Sequence, residues 1–267
     1  MVRVAVTGAG GRMGREVIAA ADAREDVSVV LAVNRTTVEG SEVAGVPVHD
    51  AEELPALLAE SDAEVLVDFT GPDSSADYVE ACAELGVPAV VGTTGFDSTG
   101  TARLADASES IPLLKASNFA RGVAALRQAV REAVAAVPEY DVELTETHHN
   151  GKRDAPSGTA KSILDDVESV RDDLDERTHG REGDQPRRRS EIGVHARRAG
   201  DITGEHEVLL AGNHEVLTLT HRAESRGVFA EGALDAAVWL VGRDAGRYDF
   251  FDVIRGDDTT DSEEDTR

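Results

Sequence analysis

One short stretch of the chain, residues 146–159, concentrates side chains that can transfer protons. His148, His149 and Lys152 follow an alternating apolar run, which predicts a strand that ends in a polar loop. Ser157-Gly158-Thr159 comes next and opens a helical pattern. Amides at a helix N-terminus bind anions, and imidazole and ammonium groups donate protons. The stretch therefore predicts proton donors beside a site for an anionic group.

The two histidines allow more than one interpretation. Adjacent residues of a strand point to opposite faces, so His148 and His149 do not suit one metal ion, and we expect no metal site. They could instead be structural histidines with satisfied hydrogen bonds. Lys152, four residues beyond His148, can face the same cleft from the loop. A reductase needs such donors because hydride arrives as H⁻ and a proton must follow. The chemistry favours a nicotinamide-dependent reductase of a small anionic substrate without identifying that substrate.

Composition describes an ordinary globular chain. Its 267 residues suffice for one large domain or two smaller ones, and 40% of them are hydrophobic. No apolar run approaches the roughly 20 residues of a membrane span, and Met1 leads directly into a strand pattern rather than a signal peptide. The single cysteine, Cys82, excludes an intrachain disulfide. We expect a cytoplasmic protein that binds no membrane.

The charge is unusual. Asp and Glu number 52 against 27 Lys and Arg, which gives a net charge of −25. Such a chain repels nucleic acid and anionic membranes, so we expect neither as a partner. An acidic protein-binding surface is one interpretation; adaptation to high salt, where self-repulsion is screened, is another. The second is favoured because lysine is nearly absent, with only Lys115, Lys152 and Lys161 in the chain.

The elements that must position a cofactor begin at the N-terminus. A strand over Val2–Val6, a glycine-rich loop, a helical pattern and a strand over Val27–Val33 form the opening of a dinucleotide-binding βαβ unit. The loop runs Gly8-Ala9-Gly10-Gly11-Arg12-Met13-Gly14, with Met13 where the stricter pattern has its third glycine. A plain tight turn is the alternative for this loop taken alone.

The second strand ends in Asn34-Arg35, where this fold usually presents an acid to the ribose 2′-hydroxyl. Without the acid a 2′-phosphate is not repelled, and Arg35 could pair with it. We therefore expect NADPH and/or NADH as cofactor, with NADPH favoured. A solvated loop arginine is the alternative interpretation of Arg35.

Helices and strands continue to alternate up to residue 120. Ala51–Glu60 and Ser74–Leu85 are predicted helices, the second with Ser74 as N-cap. Further strands are predicted over Val65–Phe69, Val87–Val91 and Ile111–Ala116. Residues after such strands line the crevice where open α/β sheets bind ligands. Two loops qualify here, although ordinary βα loops are the alternative: Gly92-Thr93-Thr94 and Ala116-Ser117-Asn118-Phe119.

The pattern changes after a long amphipathic helix over Arg121–Val137. Arg171–Arg189 is charged and predicted to be a mobile or inserted loop. Consecutive antiparallel strands with a hairpin turn then predict a second, α+β domain. A last helix is predicted over Phe229–Leu240. The acidic tail, 255–267, is predicted to be disordered. The strands are expected at Ile192–Arg198, Glu205–Leu210 and Glu215–His221, with the turn at Ala211-Gly212-Asn213.

At this point the chain resembles a known family nearly end to end, the dihydrodipicolinate reductases of lysine biosynthesis. The run His-His-x-x-Lys-x-Asp-Ala-Pro-Ser-Gly-Thr carries most of the resemblance. Supporting motifs are the Gly8–Gly14 loop, Asp68-Phe69-Thr70, Gly92 through Phe96, Asn118-Phe119, Arg198 through His206 and Thr220 through Arg226. The resemblance implies reduction, by NAD(P)H, of the cyclic imine from 4-hydroxy-tetrahydrodipicolinate to tetrahydrodipicolinate in the diaminopimelate route to lysine.

The resemblance also implies roles for individual residues. His148 matches the family's catalytic histidine and Lys152 its proton donor; His149, Gly158 and Thr159 match contacts to the substrate carboxylates. The cofactor side would comprise Gly8, Ala9, Gly10, Gly11, Arg12, Met13, Arg35, Gly92, Thr93, Thr94, Ala116, Ser117, Asn118 and Phe119. Two departures stand out: Asn34 replaces an acid, and Ala120 and Ala124 replace a Ser and an Asn.

The implied architecture is α/β, a Rossmann-type dinucleotide-binding domain plus an α+β mixed-sheet domain for substrate binding and oligomerisation. We expect residues 1–120 with 227–254 in the first domain and 121–226 in the second. The expected assembly is a homotetramer, and the expected substrate a small dicarboxylate. Two alternatives remain at this point: another Rossmann dehydrogenase, acting on an amino acid or sugar phosphate, and a dinucleotide sensor without turnover.

Overall fold

The computed structural model describes residues 1–36 and 41–256. Its strands are β1 Val2–Thr7, β2 Val27–Asn34, β3 Glu42–Val43, β4 Val46–Asp50, β5 Val65–Asp68, β6 Ala89–Val91, β7 Pro112–Lys115, β8 Asp141–His148, β9 Glu176–His179, β10 Glu191–Arg198, β11 Gly204–Gly212, β12 Glu215–Ala223 and β13 Gly246–Tyr248. Its α-helices are α1 Arg12–Asp22, α2 Leu54–Glu60, α3 Pro72–Leu85, α4 Ser98–Ser108, α5 Arg121–Ala136, α6 Gly158–Glu168, α7 Gly227–Leu240 and α8 Phe250–Arg255.

The chain divides into two compact units, one of residues 1–119 together with the chain from Phe229 onward, the other of Ala120–Val228. Among the described residues, the first unit holds an eight-stranded sheet in the order β13-β7-β6-β5-β1-β2-β4-β3. All its pairings are parallel except that of β3 with β4. Strands such as Val65–Asp68 are buried along their whole length because helices cover a parallel sheet. The predicted Rossmann-type fold is confirmed.

The turn from β1 into α1 depends on close backbone packing. Gly8 has φ +72°, a left-handed conformation that favours glycine. A Cβ added to Gly14, on the first turn of α1, would lie 2.2 Å from the carbonyl oxygen of Gly8. Any side chain at Gly14 would therefore push α1 away from the end of β1, which is where a dinucleotide-binding fold needs its helix N-terminus.

In the described part of the second unit, five strands form a mixed sheet in the order β12-β11-β8-β10-β9. One face of this sheet is apolar and packs with residues of α5 and α6 in a single core, to which Val142, Leu144, Val208, Ile163 and Leu164 belong. The predicted alternation of β8 is confirmed by its burial pattern, since Val142 and Leu144 are both 1% exposed. The α+β character of the second domain is likewise confirmed.

Several local predictions for the second unit are wrong. The segment 171–189 is not wholly a loop, because Glu176–His179 forms β9, which pairs in parallel with β10. Strand β10 does not pair with β11; β8 lies between them and is parallel to β10 and antiparallel to β11. The hairpin turn is Asn213-His214, both with positive φ, because Gly212 still pairs with Glu215.

Corrections also apply to the first unit and the C-terminus. Helix α3 starts at Pro72 with Gly71 as N-cap, so Ser74 is not the cap. Short elements without a long apolar pattern were not predicted, namely β3, β4, β13 and α8. Arg255 ends α8 and is thus not part of a disordered tail; residues 257–267 lie outside the described residues. Throughout residues 1–36 and 41–256, every helix is too short or too polar to cross a membrane.

Candidate functional site

The glycine loop of the first unit presents the N-terminus of α1. Gly11 is the N-cap residue and, lacking a side chain, cannot cap the first amides of the helix itself. The Gly11 amide donates to the carbonyl oxygen of Gly8 at 2.8 Å, and the Ala9 amide to that of Val33 at 3.1 Å. Arg12 and Met13 then form the first turn of the helix. The amides of this first turn have no side-chain cap and lie at the positive end of the helix dipole, which suits a pyrophosphate.

Asn34, at the end of β2, ties that strand to the glycine loop. Its Oδ1 accepts a hydrogen bond from the Gly10 amide at 3.2 Å, and its Nδ2 donates to the Thr36 carbonyl at 2.9 Å. The neighbouring Arg35 is exposed and lines a pocket of about 310 Å³ together with Pro55, Ser74 and Tyr78 among others. Asn34 therefore acts here as a neutral loop anchor. Arg35 contributes a positive charge to the pocket, which the acidic residues Glu52 and Asp77 also line.

A buried carboxylate joins the carboxyl ends of three strands. Asp68, 0% exposed, accepts hydrogen bonds at Oδ1 from the hydroxyls of Thr7 and Thr70, both at 2.6 Å. The Thr93 hydroxyl donates to Asp68 Oδ2 at 2.5 Å and accepts from the Thr70 amide at 2.8 Å. Three hydroxyl groups donate to one buried carboxyl group, so this network fixes the loop after β6. The sequence analysis gave Asp68 and Thr7 no role.

The other predicted cofactor residues also lie at the carboxyl ends of the parallel strands. Gly92, Thr93 and Thr94 follow β6, with Thr93 buried and Thr94 exposed. Ala116, Ser117, Asn118 and Phe119 follow β7, and the Ala116 amide donates to the Val91 carbonyl at 3.1 Å. The Phe119 ring is 1% exposed and packs edge-to-face against Phe69. The first unit thus places all the predicted cofactor residues on the loops that follow β1, β2, β6 and β7 or in the first turn of α1.

In the second unit, His148 ends β8 and its imidazole contacts a buried acid. His148 Nδ1 lies 2.6 Å from Oε2 of Glu146, which is 0% exposed. Arg198 holds both oxygens of the same carboxylate, at 2.7 and 2.8 Å. Burial disfavours the charged form, but the hydrogen bonds from His148 and Arg198 outweigh it and lower the pKa of Glu146 to about 2. The carboxylate is therefore ionised at neutral pH.

A second histidine lies against the first. The rings of His148 and His206 meet edge-to-face with centroids 5.3 Å apart, and His206 Nε2 is 3.0 Å from the Ser157 hydroxyl. Ser157 is the N-cap of α6, because its hydroxyl oxygen accepts from the Ala160 amide at 3.1 Å, while its own amide donates to Glu146. The sequence analysis assigned no role to Glu146, Arg198 or His206, all of which support the predicted residues.

Lys152 and the residues predicted to bind substrate lie on the loop after β8 and at the start of α6. Lys152 Nζ forms an ion pair with Asp154 at 2.9 Å, and its side chain is 22% exposed. The Lys152 amide donates to the carbonyl of His149, which is partly buried at the end of β8. Gly158 and Thr159 form the first turn of α6. The structure thus brings His148, His149 and Lys152 to the loop that leads into the N-terminus of α6.

The electrostatics of His206 lead to a pH prediction. Burial, with the nearby charge of His148, lowers the pKa of His206 to about 3. The pKa of a histidine in the unfolded chain is 6.5, so below pH 6.5 the unfolded state binds a proton that the folded state does not. The folded state therefore keeps its full stability above pH 6.5 and loses part of it as the pH falls from 6.5 toward 3. As the pH falls, the free energy of unfolding should decrease less steeply in His206→Gln than in the wild type. We expect the two slopes to differ by up to about 1.4 kcal/mol per pH unit. Thermal and urea unfolding between pH 7.5 and 4.5 measure this slope.

His179→Gln is the matched control, since His179 is an exposed histidine of the same unit. It should keep the wild-type slope. Part of the slope should survive in His206→Gln because burial also lowers the pKa of His221. An unchanged slope in His206→Gln would show that His206 does not carry the acid sensitivity.

The described residues contain no group of three or more His, Cys, Asp or Glu side chains that could hold a metal ion. The acids and histidines near the loop are instead committed to Arg198, Lys152 and Ser157.

Comparison with known proteins finds matches to one family in both halves of the chain. Residues 2–119 match the family model described as "Dihydrodipicolinate reductase, N-terminus", and residues 122–254 match "Dihydrodipicolinate reductase, C-terminus". A relative from Natronomonas pharaonis, named 4-hydroxy-tetrahydrodipicolinate reductase, is 58% identical over 95% of this chain and 100% of its own. One of the same name from Haloarcula marismortui is 57% identical over 95% and 99%.

A solved structure agrees with these sequence matches. The dipicolinate-bound dihydrodipicolinate reductase of Paenisporosarcina sp. TG-14 has 25% sequence identity and a TM-score of 0.75. The alignment covers 93% of this chain and 97% of that one. Relatives named for one reductase activity set aside the two alternatives of a different dehydrogenase and of a sensor without turnover.

Proposed function

Because this chain belongs to the dihydrodipicolinate reductase family, we propose that it reduces the cyclic imine derived from 4-hydroxy-tetrahydrodipicolinate to tetrahydrodipicolinate. The observation that carries the proposal is the ordered stretch from Glu146 to Thr159, in which a histidine and a lysine share one loop with a capped helix N-terminus. The reaction is a step of lysine and diaminopimelate biosynthesis.

The test is oxidation of NADPH and NADH, followed by absorbance, when the purified chain meets the product of the coupled synthase. Both cofactors are assayed. Pyridine-2,6-dicarboxylate, an analogue of the substrate that is not reduced, serves as the control. Turnover that depends on the synthase product supports the proposal. Cofactor binding without turnover would return the chain to the sensor alternative.

The cofactor residues fit a dinucleotide. The Gly8 to Met13 loop offers backbone amides at the start of α1, and the absence of a side chain at Gly14 keeps that helix close to β1. Gly92 through Thr94 and Ala116 through Phe119 would line the nicotinamide side. When bound, NAD(P)H supplies the hydride. The exposed charge of Arg35 beside its pocket supports a preference for NADPH.

The substrate is a small dicarboxylate, which suits the start of α6. We assign the amides of Gly158 and Thr159, in the first turn of α6, and the Thr159 hydroxyl to a substrate carboxylate. Ser157 caps the same helix through the Ala160 amide. His149 would contact the same or the second carboxylate. These assignments use the helix dipole and add one imidazole donor.

Lys152 and His148 would supply the proton. Lys152 carries an ammonium group at the mouth of the loop, held by Asp154 rather than buried, so it can shift to a substrate atom. The His148 ring is held more tightly, through Nδ1, and would stabilise the developing charge with Nε2. Electrons from the hydride flow toward the imine nitrogen as that proton is delivered.

The open face of the second-unit sheet supports the proposed homotetramer. Val216, Leu209 and Thr218 lie on the face opposite the apolar core, as their pairing register shows. Val216 is 62% exposed, unusual for a large apolar residue of a strand. Strand faces of this kind are covered in a stable protein by a partner of similar chemistry, here a second copy of the chain.

We expect Val216→Glu to convert the tetramer into smaller species, because a charge would be buried in each interface. Light scattering after size-exclusion chromatography measures the mass. Leu85→Glu is the control; Leu85 is 41% exposed at the end of α3, in the other unit, and should leave the mass unchanged. A Val216→Glu protein of wild-type mass would place the interface elsewhere.

A further inference from the structure

The buried carboxylate of Glu146 has a specific relation to the His148 ring. The two residues are separated by one position on β8, so strand alternation puts both side chains on the same face. The oxygens of Glu146 accept hydrogen bonds from His148, from Arg198 and from the Ser157 amide. An ionised carboxylate can only accept, so the proton of the His148–Glu146 bond belongs to Nδ1.

This assignment leaves Nε2 as the ring nitrogen that faces the reaction. Gly204 directly precedes Glu205, which pairs with Thr147 of β8, and a Cβ added to Gly204 would lie 3.2 Å from His148 Nε2. Glycine on β11 therefore keeps space around the nitrogen. The His206 ring, also on β11, packs edge-to-face against the imidazole.

Arg198 connects this carboxylate to the loop that carries Lys152. Its Nη2 donates both to Glu146 Oε1 at 2.7 Å and to the Asp154 carbonyl at 2.6 Å. The Asp154 side chain, in turn, holds Lys152 Nζ. The Arg198 guanidinium thus holds both the backbone near Lys152 and the carboxylate that contacts His148. Lysine cannot replace it fully, because an ammonium group lacks the planar fork of donors.

We propose that Glu146 and Arg198 are positioning residues for the reduction, Glu146 by fixing the tautomer and orientation of His148 and Arg198 by fixing Glu146 and the Lys152 loop. The inference rests on the proposed function, in which His148 and Lys152 are catalytic. A carboxylate that orients a histidine also selects which nitrogen carries the proton.

The main test is Glu146→Gln in the full chain. Glutamine keeps the size but can donate to Nδ1 as well as accept, so the tautomer is no longer fixed. We expect turnover to fall about 100-fold with KM for NADPH unchanged. In ¹⁵N-histidine NMR spectra, the His148 signals, identified by their loss in His148→Gln, should change from the Nδ1–H pattern. A fall in turnover with unchanged ring signals would reduce Glu146 to a structural residue and overturn the inference.

Arg198→Lys is the second variant, suited to the case in which Glu146→Gln does not fold, because the Arg198 side chain is 19% exposed. Arg198→Lys should lower turnover by a smaller factor than Glu146→Gln does. It should also shift the ¹⁵N signals of the His148 ring away from the Nδ1–H pattern. Arg197→Lys is its control, an exposed neighbour on β10 that should behave as wild type. Full turnover and unchanged ring signals in Arg198→Lys would also overturn the inference.

A double variant separates this inference from the proposed function. If Glu146 acts through His148, adding Glu146→Gln to His148→Gln should cause no further loss of turnover. A large loss in His148→Gln with none in Glu146→Gln would refute the positioning role alone. Full turnover in His148→Gln would refute the catalytic assignment, and the positioning role would fall with it.

Discussion

Lys152→Ala should reduce turnover by about 100- to 10,000-fold while KM for NADPH stays near the wild-type value. The physical reason is that the substitution removes a proton donor and leaves the glycine loop of the first unit untouched. The Lys152 side chain is 22% exposed and forms an ion pair with the exposed Asp154, so the loss of packing is small. Steady-state kinetics with both substrates varied, together with a thermal melt, measure the effect.

Lys161→Ala is the matched control for this variant. Lys161 is another of the three lysines, exposed on α6 a few residues further on, and it should show wild-type kinetics. Intact turnover in Lys152→Ala would remove the assignment of Lys152 as proton donor. A parallel rise in KM for NADPH would instead indicate a cofactor contact.

Arg35→Gln should raise KM for NADPH by about 10- to 100-fold and change KM for NADH little. A charge-assisted hydrogen bond to a phosphate is worth about 1.5–3 kcal/mol, which corresponds to this range. NADH lacks the 2′-phosphate and so loses nothing. Because Arg35 is exposed and lines a surface pocket, the substitution should not unfold the protein. The measurement is the ratio of the two KM values in the variant and in the wild type.

Arg3→Gln serves as the control for loss of one positive charge. Arg3 lies at the start of β1, at the opposite end of the parallel strands, and pairs with Glu64. Its KM ratio should equal that of the wild type. An unchanged ratio in Arg35→Gln would contradict the role of Arg35 and support the interpretation of a solvated loop arginine.

The cofactor half could be predicted from sequence because its signals are local. A buried strand, glycines at fixed spacing and an amphipathic helix occur within the first 22 residues, and the structure forms them as β1 and α1. The role of Asn34 could not be read in this way. Its contact with Gly10 spans 24 positions, and no periodicity reports such a hydrogen bond.

The second half was harder because strand pairing there is long-range. Strand β8 lies between β10 and β11, an order that apolar alternation does not encode. Strand β9 has no apolar pattern and exists because β10 offers it a backbone edge. The alternation of Val142 and Leu144, continued to Glu146 and His148, did contain the signal for a buried acid under the histidine.

The partner of that acid could not be predicted in the same way. Arg198 reaches Glu146 only because β10 runs parallel to β8 with Arg198 opposite His148. The predicted high-salt adaptation and cytoplasmic location concern the surface and the cell rather than the fold, so they stay predictions.

The first unit is assembled from both ends of the chain, and this affects the order in which the protein can fold during synthesis. A ribosome releases residues up to Phe119 long before α7 and β13, yet β13 completes the sheet beside β7 and Gly232 of α7 packs directly against the Phe119 carbonyl. The unit from Ala120 to Val228 is continuous and needs no later segment. The edge of β7 that β13 covers therefore stays unpaired until nearly the whole chain has emerged.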